Sequence, residues 1–275
     1  MTPFKNTAYR LLNQTLVRLS HRLSSVQFID KTVDLLYFRL SSMRGLRALP
    51  FLELSQSTGS MEADWDKRAR INAVIAATGR SDGDLVEADM EEGLRRIVLN
   101  KIPVEQSWVV LEIGCGIGAL LKSVSHMASE VHGVDISGEM LKQAASRLAG
   151  RPNVILHKTN GALEMLEDGQ FDLVYCSGVF IHFPRKDLVY AYFHEAARVL
   201  KDGGYFRFQV DGRAYLSWRA ERASTNRGVV FAEEEIRNEL ADAGFEVQEV
   251  TGTDRLDMWV TAIWRLQTPE NNQTV

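Results

Sequence analysis

Val109–Val124, VVLEIGCGIGALLKSV, is the stretch that decides the architecture. Val109, Val110, Leu111 and Ile113 form a short apolar run rich in β-branched residues and predict a buried strand. Ala119, Leu120, Leu121 and Val124 recur at helical spacing, and Gly114, Gly116 and Gly118 stand between the two. A strand that passes into a helix through such a turn brings bare backbone close to something. Glycine tolerates the turn's dihedrals and its missing side chain lets a ligand touch the main chain.

Outward from this turn the alternation continues. Glu130–Ile136 predicts a second strand, Val154–His157 a third, Phe171–Ser177 a fourth and Tyr205–Val210 a fifth. Ser137 is a capping residue for a helix with Met140, Leu141, Ala144, Ala145 and Leu148 on its inner face, and Gly150 and Pro152 end it. The helix after Val109–Ile113 is expected to reach about Met127, and Pro184 opens another that ends at LKDGG. A helix near Ala232–Ala243 leads to two last strands, Phe245–Val250 and Met258–Trp264. Helices at Trp65–Thr78 and Met90–Leu99 precede the first strand. The pattern predicts an α/β fold, a doubly wound, seven-stranded, mostly parallel sheet.

The 275 residues are 45% hydrophobic and 25% charged, an ordinary globular composition. Residues 1–50 hold eight basic and two acidic side chains, a net of +6; with −4 for the whole chain, the remainder carries −10. Residues 1–52 therefore read as a basic, amphipathic helical appendage that packs on the main domain or a second subunit, with a membrane-surface or lipid contact as the alternative. Residues 53–64 read as a polar linker, 65–266 as the main domain and 267–275 as a polar tail. An acidic main domain without basic patches disfavours nucleic acid. Cys115 and Cys176 lack paired metal-ligand spacing, and no apolar run is long enough to span a membrane, so no metal and a reducing cytoplasm are expected.

The spacing Gly114-x-Gly116-x-x-Ala119 also fits the fingerprint of a dinucleotide-binding turn, so the glycines alone leave the ligand open. Glu112 tilts the balance: a carboxylate two residues before the turn opposes a pyrophosphate and suits a cationic ligand. Asp135, about 20 residues on, closes the second strand where a carboxylate can accept both hydroxyls of a ribose.

Taken in order, EIGCGIG, VDIS, FDLV and LKDGG resemble the class I S-adenosylmethionine-dependent methyltransferases over about Trp65–Trp264. The resemblance implies S-adenosyl-L-methionine as cofactor and an antiparallel last strand inserted beside the fifth. It implies that Gly114, Gly116 and Gly118 line the methionine and ribose portion, with Glu112 near its polar end and Asp135 on the ribose. Ile136 and Met140 would pack by the adenine and Asn160 and Gly161 meet its edge, with Cys115 and Ser177 completing the lining. Many members carry Asp where this chain has Asn160. For Cys115 a nucleophilic role is disfavoured, since no His or Asp stands near it in sequence.

A sulfonium methyl is already activated, so the protein mainly aligns an attacking atom with it. His182, in SGVFIHF after the fourth strand, is the candidate base for a hydroxyl acceptor. The other histidines of the main domain read as structural. Trp65, Arg68, Tyr215, Trp218, Arg219 and Arg222 could form a pocket for a planar or anionic molecule, or equally be surface and hinge residues. The expectation is transfer to a small-molecule oxygen, with a lipid-linked, carbohydrate or protein acceptor as alternatives. A catalytically silent cofactor-binding scaffold and a nicotinamide-dependent oxidoreductase are the rivals from other classes; a homodimer is compatible with the appendage.

Overall fold

The computed structural model describes residues 60–78, 91–217, 223–225 and 228–266. The basic appendage, the linker up to 59, Trp218, Arg219, Arg222 and the tail lie outside the described residues. The elements in chain order are α1 (Met61–Thr78), α2 (Leu94–Leu99), β1 (Val109–Ile113), α3 (Ala119–Val124), β2 (Glu130–Asp135), α4 (Gly138–Arg147), β3 (Val154–Lys158), β4 (Phe171–Cys176), α5 (Lys186–Val199), β5 (Leu200–Val210), α6 (Glu233–Asp242), β6 (Phe245–Thr251) and β7 (Met258–Trp264). A single 3₁₀ turn, Phe180–His182, follows β4.

The sheet has seven strands in the order β3-β2-β1-β4-β5-β7-β6. β1 to β5 pair in parallel, whereas β7 runs antiparallel to both β5 and β6. The strand order reverses beside β1, so the glycine turn opens into the crevice at the carboxyl ends of β1 and β4. The largest core cluster fills one face of the sheet with Phe171, Phe180, Phe193, Phe206 and Phe208. Ser137 caps α4 as its sequence predicts, accepting from the Met140 N–H at 3.1 Å.

Several boundaries differ from the sequence expectation. α1 starts at Met61, inside the predicted linker, with Ser60 accepting from the Ala63 N–H on its hydroxyl. α1 is kinked at Asn72, whose backbone is extended (φ −165°, ψ 97°). α3 stops at Val124, three residues short of expectation, where Ser125 returns its hydroxyl to the Lys122 carbonyl. β5 begins at Leu200 rather than Tyr205, because the LKDGG segment enters the ladder through an irregularity opposite Phe171 and Leu173, with Gly203 at φ +82°. α2 is wound as a π-helix, and the cause is a side chain from the sheet described below.

Candidate functional site

The glycine turn closes on itself. Gly114 and Cys115 N–H both donate to the Val134 carbonyl (2.8 and 3.0 Å), Gly116 N–H donates to Asp135 Oδ2 (2.8 Å), and Gly118 N–H donates to the Cys115 carbonyl (2.9 Å). Four amides that a pyrophosphate would need are thus already used. All three glycines have positive φ, yet they serve different neighbours. A Cβ on Gly114 would lie 2.3 Å from Val179 Cγ2, at the floor of the cavity. Gly118, expected to line the ligand, does not reach the cavity: a Cβ there would strike Leu148 Cδ1 at 2.7 Å, so it is bare to let α4 close on the turn.

Two carboxylates face this turn. Asp135 accepts from Gly116 N–H on one oxygen and from Ser137 N–H on the other, each at 2.8 Å, and burial raises its pKa against those bonds. Each carboxylate oxygen keeps a second lone pair for a hydroxyl donor. Glu112 is almost wholly buried and accepts from the Tyr175 hydroxyl at 2.9 Å. Burial, reinforced by Asp135 and opposed by the Tyr175 bond, pushes Glu112 up to about 8. Burial likewise raises the Cys115 thiol, which makes it inert as a nucleophile.

Glu112 belongs to a rung that crosses the sheet. Leu156, Gly133, Glu112, Tyr175, Arg207, Thr261 and Glu249 are successive register partners on β3, β2, β1, β4, β5, β7 and β6. Gly133 is bare because Cys115 Sγ and Leu121 Cδ1 lie 2.9 and 2.4 Å from where its Cβ would be. Arg207 is buried and donates through Nη1 to Thr261 Oγ1 (2.7 Å), through Nε to the Val98 carbonyl (3.0 Å) and through Nη2 to the Ile97 carbonyl (3.1 Å). Its guanidinium also lies 4.9 Å from the centre of the Trp259 ring. The two carbonyls it holds end α2, which explains the wide π turn, since one rigid fork takes both. Desolvation lowers Arg207 to about 10, Glu249 opposing.

Turn, carboxylates and α2 enclose one cavity of about 830 Å³. It contains Glu112, Gly114, Cys115, Gly116, Asp135, Ile136, Met140, Asn160, Gly161, Ser177 and His182, so the structure brings together the expected cofactor residues, except Gly118, with the candidate base. Asn160 is exposed, and its Oδ1 accepts from Ala162 N–H at 3.3 Å, an Asx turn that presents the side chain at the rim. Val179, Thr159, Tyr192, Trp259, Leu94 and Ile97 also line the cavity and were missed. A lone glycine inside EVHGVDI is the one available signal that side chains of the turn and α3 press closely on β2.

Around His182 the lining is an apolar lobe of Met61, Trp65, Ile181, Phe183 and Leu188. Trp65 lines this lobe as expected. Arg68 does not: it is buried and donates to Thr225, Nη1 to the carbonyl at 2.9 Å and Nη2 to Oγ1 at 3.0 Å. Tyr215 is likewise absent from the lining. His132 and His157 are structural, bonded to one another at 3.0 Å and, through His132, to Glu130 at 2.8 Å.

Residues 110–204 match a family model described as a methyltransferase domain. The chain is 26% identical over 172 residues to a ubiquinone biosynthesis O-methyltransferase of Thiobacillus denitrificans, covering 58% of this chain and 72% of that protein. It is 33% identical over 141 residues to a demethylmenaquinone methyltransferase of Tropheryma whipplei, covering 50% and 55%. The chain thus spans between about half and three quarters of these relatives. In fold it is similar to the Haemonchus contortus phosphoethanolamine N-methyltransferase 1 solved with phosphoethanolamine and S-adenosylhomocysteine, with a TM-score of 0.61 at 16% identity, covering 76% of this chain and 49% of that one.

Proposed function

We propose that this chain, a class I S-adenosylmethionine-dependent methyltransferase, moves the methyl group to a hydroxyl oxygen of a small, largely apolar acceptor, with His182 taking the acceptor's proton. The observation that carries the proposal is the shared cavity: an imidazole stands in the wall of an apolar lobe that opens directly onto the glycine turn and its two carboxylates.

The residues present fit the cofactor. At about 830 Å³ the cavity lies in the upper part of the range of small-molecule sites, enough for a nucleoside and a second molecule. S-Adenosylmethionine supplies, when bound, a methyl group on a positively charged sulfur with a thioether as leaving group. The chain's part is then to hold and align. Asp135 would accept from the ribose hydroxyls on its remaining lone pairs, Glu112 would take up the cationic end of the methionine portion, and Ile136 and Met140 would pack against the base. Spent amides and a carboxylate at the turn suit this ligand better than a dinucleotide.

Around His182, Met61, Trp65, Ile181, Phe183 and Leu188 exclude water from the acceptor. A hydroxyl in that lobe becomes a better nucleophile as His182 removes its proton while the oxygen–carbon bond forms. The names of the two curated relatives add weight to a quinol or phenol as acceptor. A reducing cytoplasm agrees with two free, buried cysteines. Among the described residues no helix is long and apolar enough to cross a membrane.

The test is a panel of phenols, catechols and simple quinols, each with and without an alkyl tail, assayed for S-adenosylhomocysteine formation. Turnover with a phenolic hydroxyl, lost by 100-fold or more in His182→Asn with S-adenosylhomocysteine affinity retained, is the expected result. Methylation confined to amines or carbohydrates would overturn the proposal, as would an undiminished His182→Asn.

A further inference from the structure

His182 stands on a single 3₁₀ turn, Phe180–His182, and so short an element fixes an imidazole only if its neighbours do. Two supports reach it, one from the main chain of Gly228 and Val229 and one from a side chain of α1. The first is main chain: Gly228 N–H donates to the Ile181 carbonyl and Val229 N–H to the Phe183 carbonyl, each at 2.9 Å, bracketing His182 on either side. The approach is so close that a Cβ on Gly228 would lie 2.6 Å from both the Ile181 and Phe183 carbonyl oxygens. The second is aromatic: the Trp65 and His182 rings meet edge to face, centroids 5.1 Å apart and planes at 77°.

Trp65 is held in turn. The Arg68 guanidinium lies 4.7 Å from its ring centre, one turn along α1. Arg68 is anchored on the carbonyl and hydroxyl of Thr225, and that hydroxyl donates to Asp64 Oδ2 at 2.6 Å. Asp64, Arg68 and Thr225 are all buried. Thr225 therefore clamps the helix whose tryptophan meets the histidine's ring.

We propose that Arg68 and Thr225 are positioning residues for His182, acting through Trp65. The proposal rests on His182 being the base. The pair sets kcat through Trp65, while the α1 side chain bonded at the cofactor end, Asp66 on Ser137 and Glu139, is left in place.

A double-mutant cycle tests it. Arg68→Met and Thr225→Val are each made in the full chain and in the His182→Asn chain, with kcat for a phenolic acceptor and calorimetric affinity for S-adenosylhomocysteine as readouts. In the His182 background each variant is expected to lower kcat roughly ten- to a hundredfold, the scale of a small misplacement of a catalytic group, while affinity stays within about twofold. In the His182→Asn background each is expected to change kcat by less than about twofold, because nothing remains to be positioned. Thr225→Ser, which keeps the hydroxyl, is expected to restore activity. Equal losses in both backgrounds, or no recovery in Thr225→Ser, would overturn the role of Arg68 and Thr225 and leave His182 standing. A His182→Asn chain as active as the parent would remove both. Should Arg68→Met fail to fold, the Thr225→Val and Thr225→Ser pair decides alone.

Discussion

Glu112 is the residue whose chemistry reports most directly on the ligand. Held protonated by burial at a pKa of about 8, it is neutral near pH 7 in the ligand-free protein. A cation arriving beside it favours the ionised form, so binding below pH 8 must expel a proton. Affinity for S-adenosylhomocysteine is therefore expected to rise with pH between 6 and 8 and then flatten, and in Glu112→Gln the rise should vanish. Calorimetry in buffers of differing ionisation heat would read the released proton directly; a flat profile in the parent chain would refute a cation at this carboxylate. The stability of the ligand-free protein carries the opposite sign. The folded chain keeps a proton that the unfolded chain loses near 4.5, so this group's contribution is complete below that value and is lost as pH rises to about 8. The Tm of the parent should fall relative to that of Glu112→Gln over that span.

At the scale of elements, α2 is the piece whose place depends most on one side chain. Its last carbonyls accept from Arg207, while Asn100 just beyond donates to Glu249 Oε2 at 2.6 Å and Arg207 Nη1 lies 3.9 Å from the same oxygen. Arg207→Met keeps much of the apolar stem but orphans two carbonyls and the Thr261 hydroxyl, at about 1–3 kcal/mol for each buried group left unpaired. Lower Tm and early amide exchange confined to residues 94–100 are expected by hydrogen-exchange mass spectrometry; uniform loss of protection would show that α2 is not a separable wall. How far elements were legible follows from how local their causes are. β1, the turn and α3 announce themselves within sixteen residues, and Ser137 caps α4 from a position adjacent to it. The π winding of α2 was not legible, because its cause lies 109 residues away on β5. Gly118 shares the spacing of Gly114 and Gly116 yet answers to Leu148 on α4, and spacing alone does not say which side of a turn a neighbour occupies. Arg68 stayed open between pocket and hinge for the same reason: its partner Thr225 stands 157 residues on.

For the molecule as a whole, the sheet's strand order brings all of these parts around one cavity, and that makes ligand choice measurable as global stability. A ligand that binds only the folded chain stabilises it by RT ln(1 + [L]/Kd), about 2.7 kcal/mol at a hundredfold excess over Kd. For a domain of this size that corresponds to a rise in Tm of roughly 5 to 10 °C. S-Adenosylhomocysteine shares the nucleoside and the cationic amino end, so it is expected to give such a shift. NADH brings a pyrophosphate to a turn whose Gly114, Cys115, Gly116 and Gly118 amides already donate within the protein, and to a crevice holding Glu112 and Asp135. Repulsion there has no compensating donor, so NADH at the same concentration is expected to leave Tm within about 1 °C. Equal shifts from the two ligands would mean that the turn rearranges to free its amides, and the electrostatic basis for preferring a cationic nucleoside would be lost.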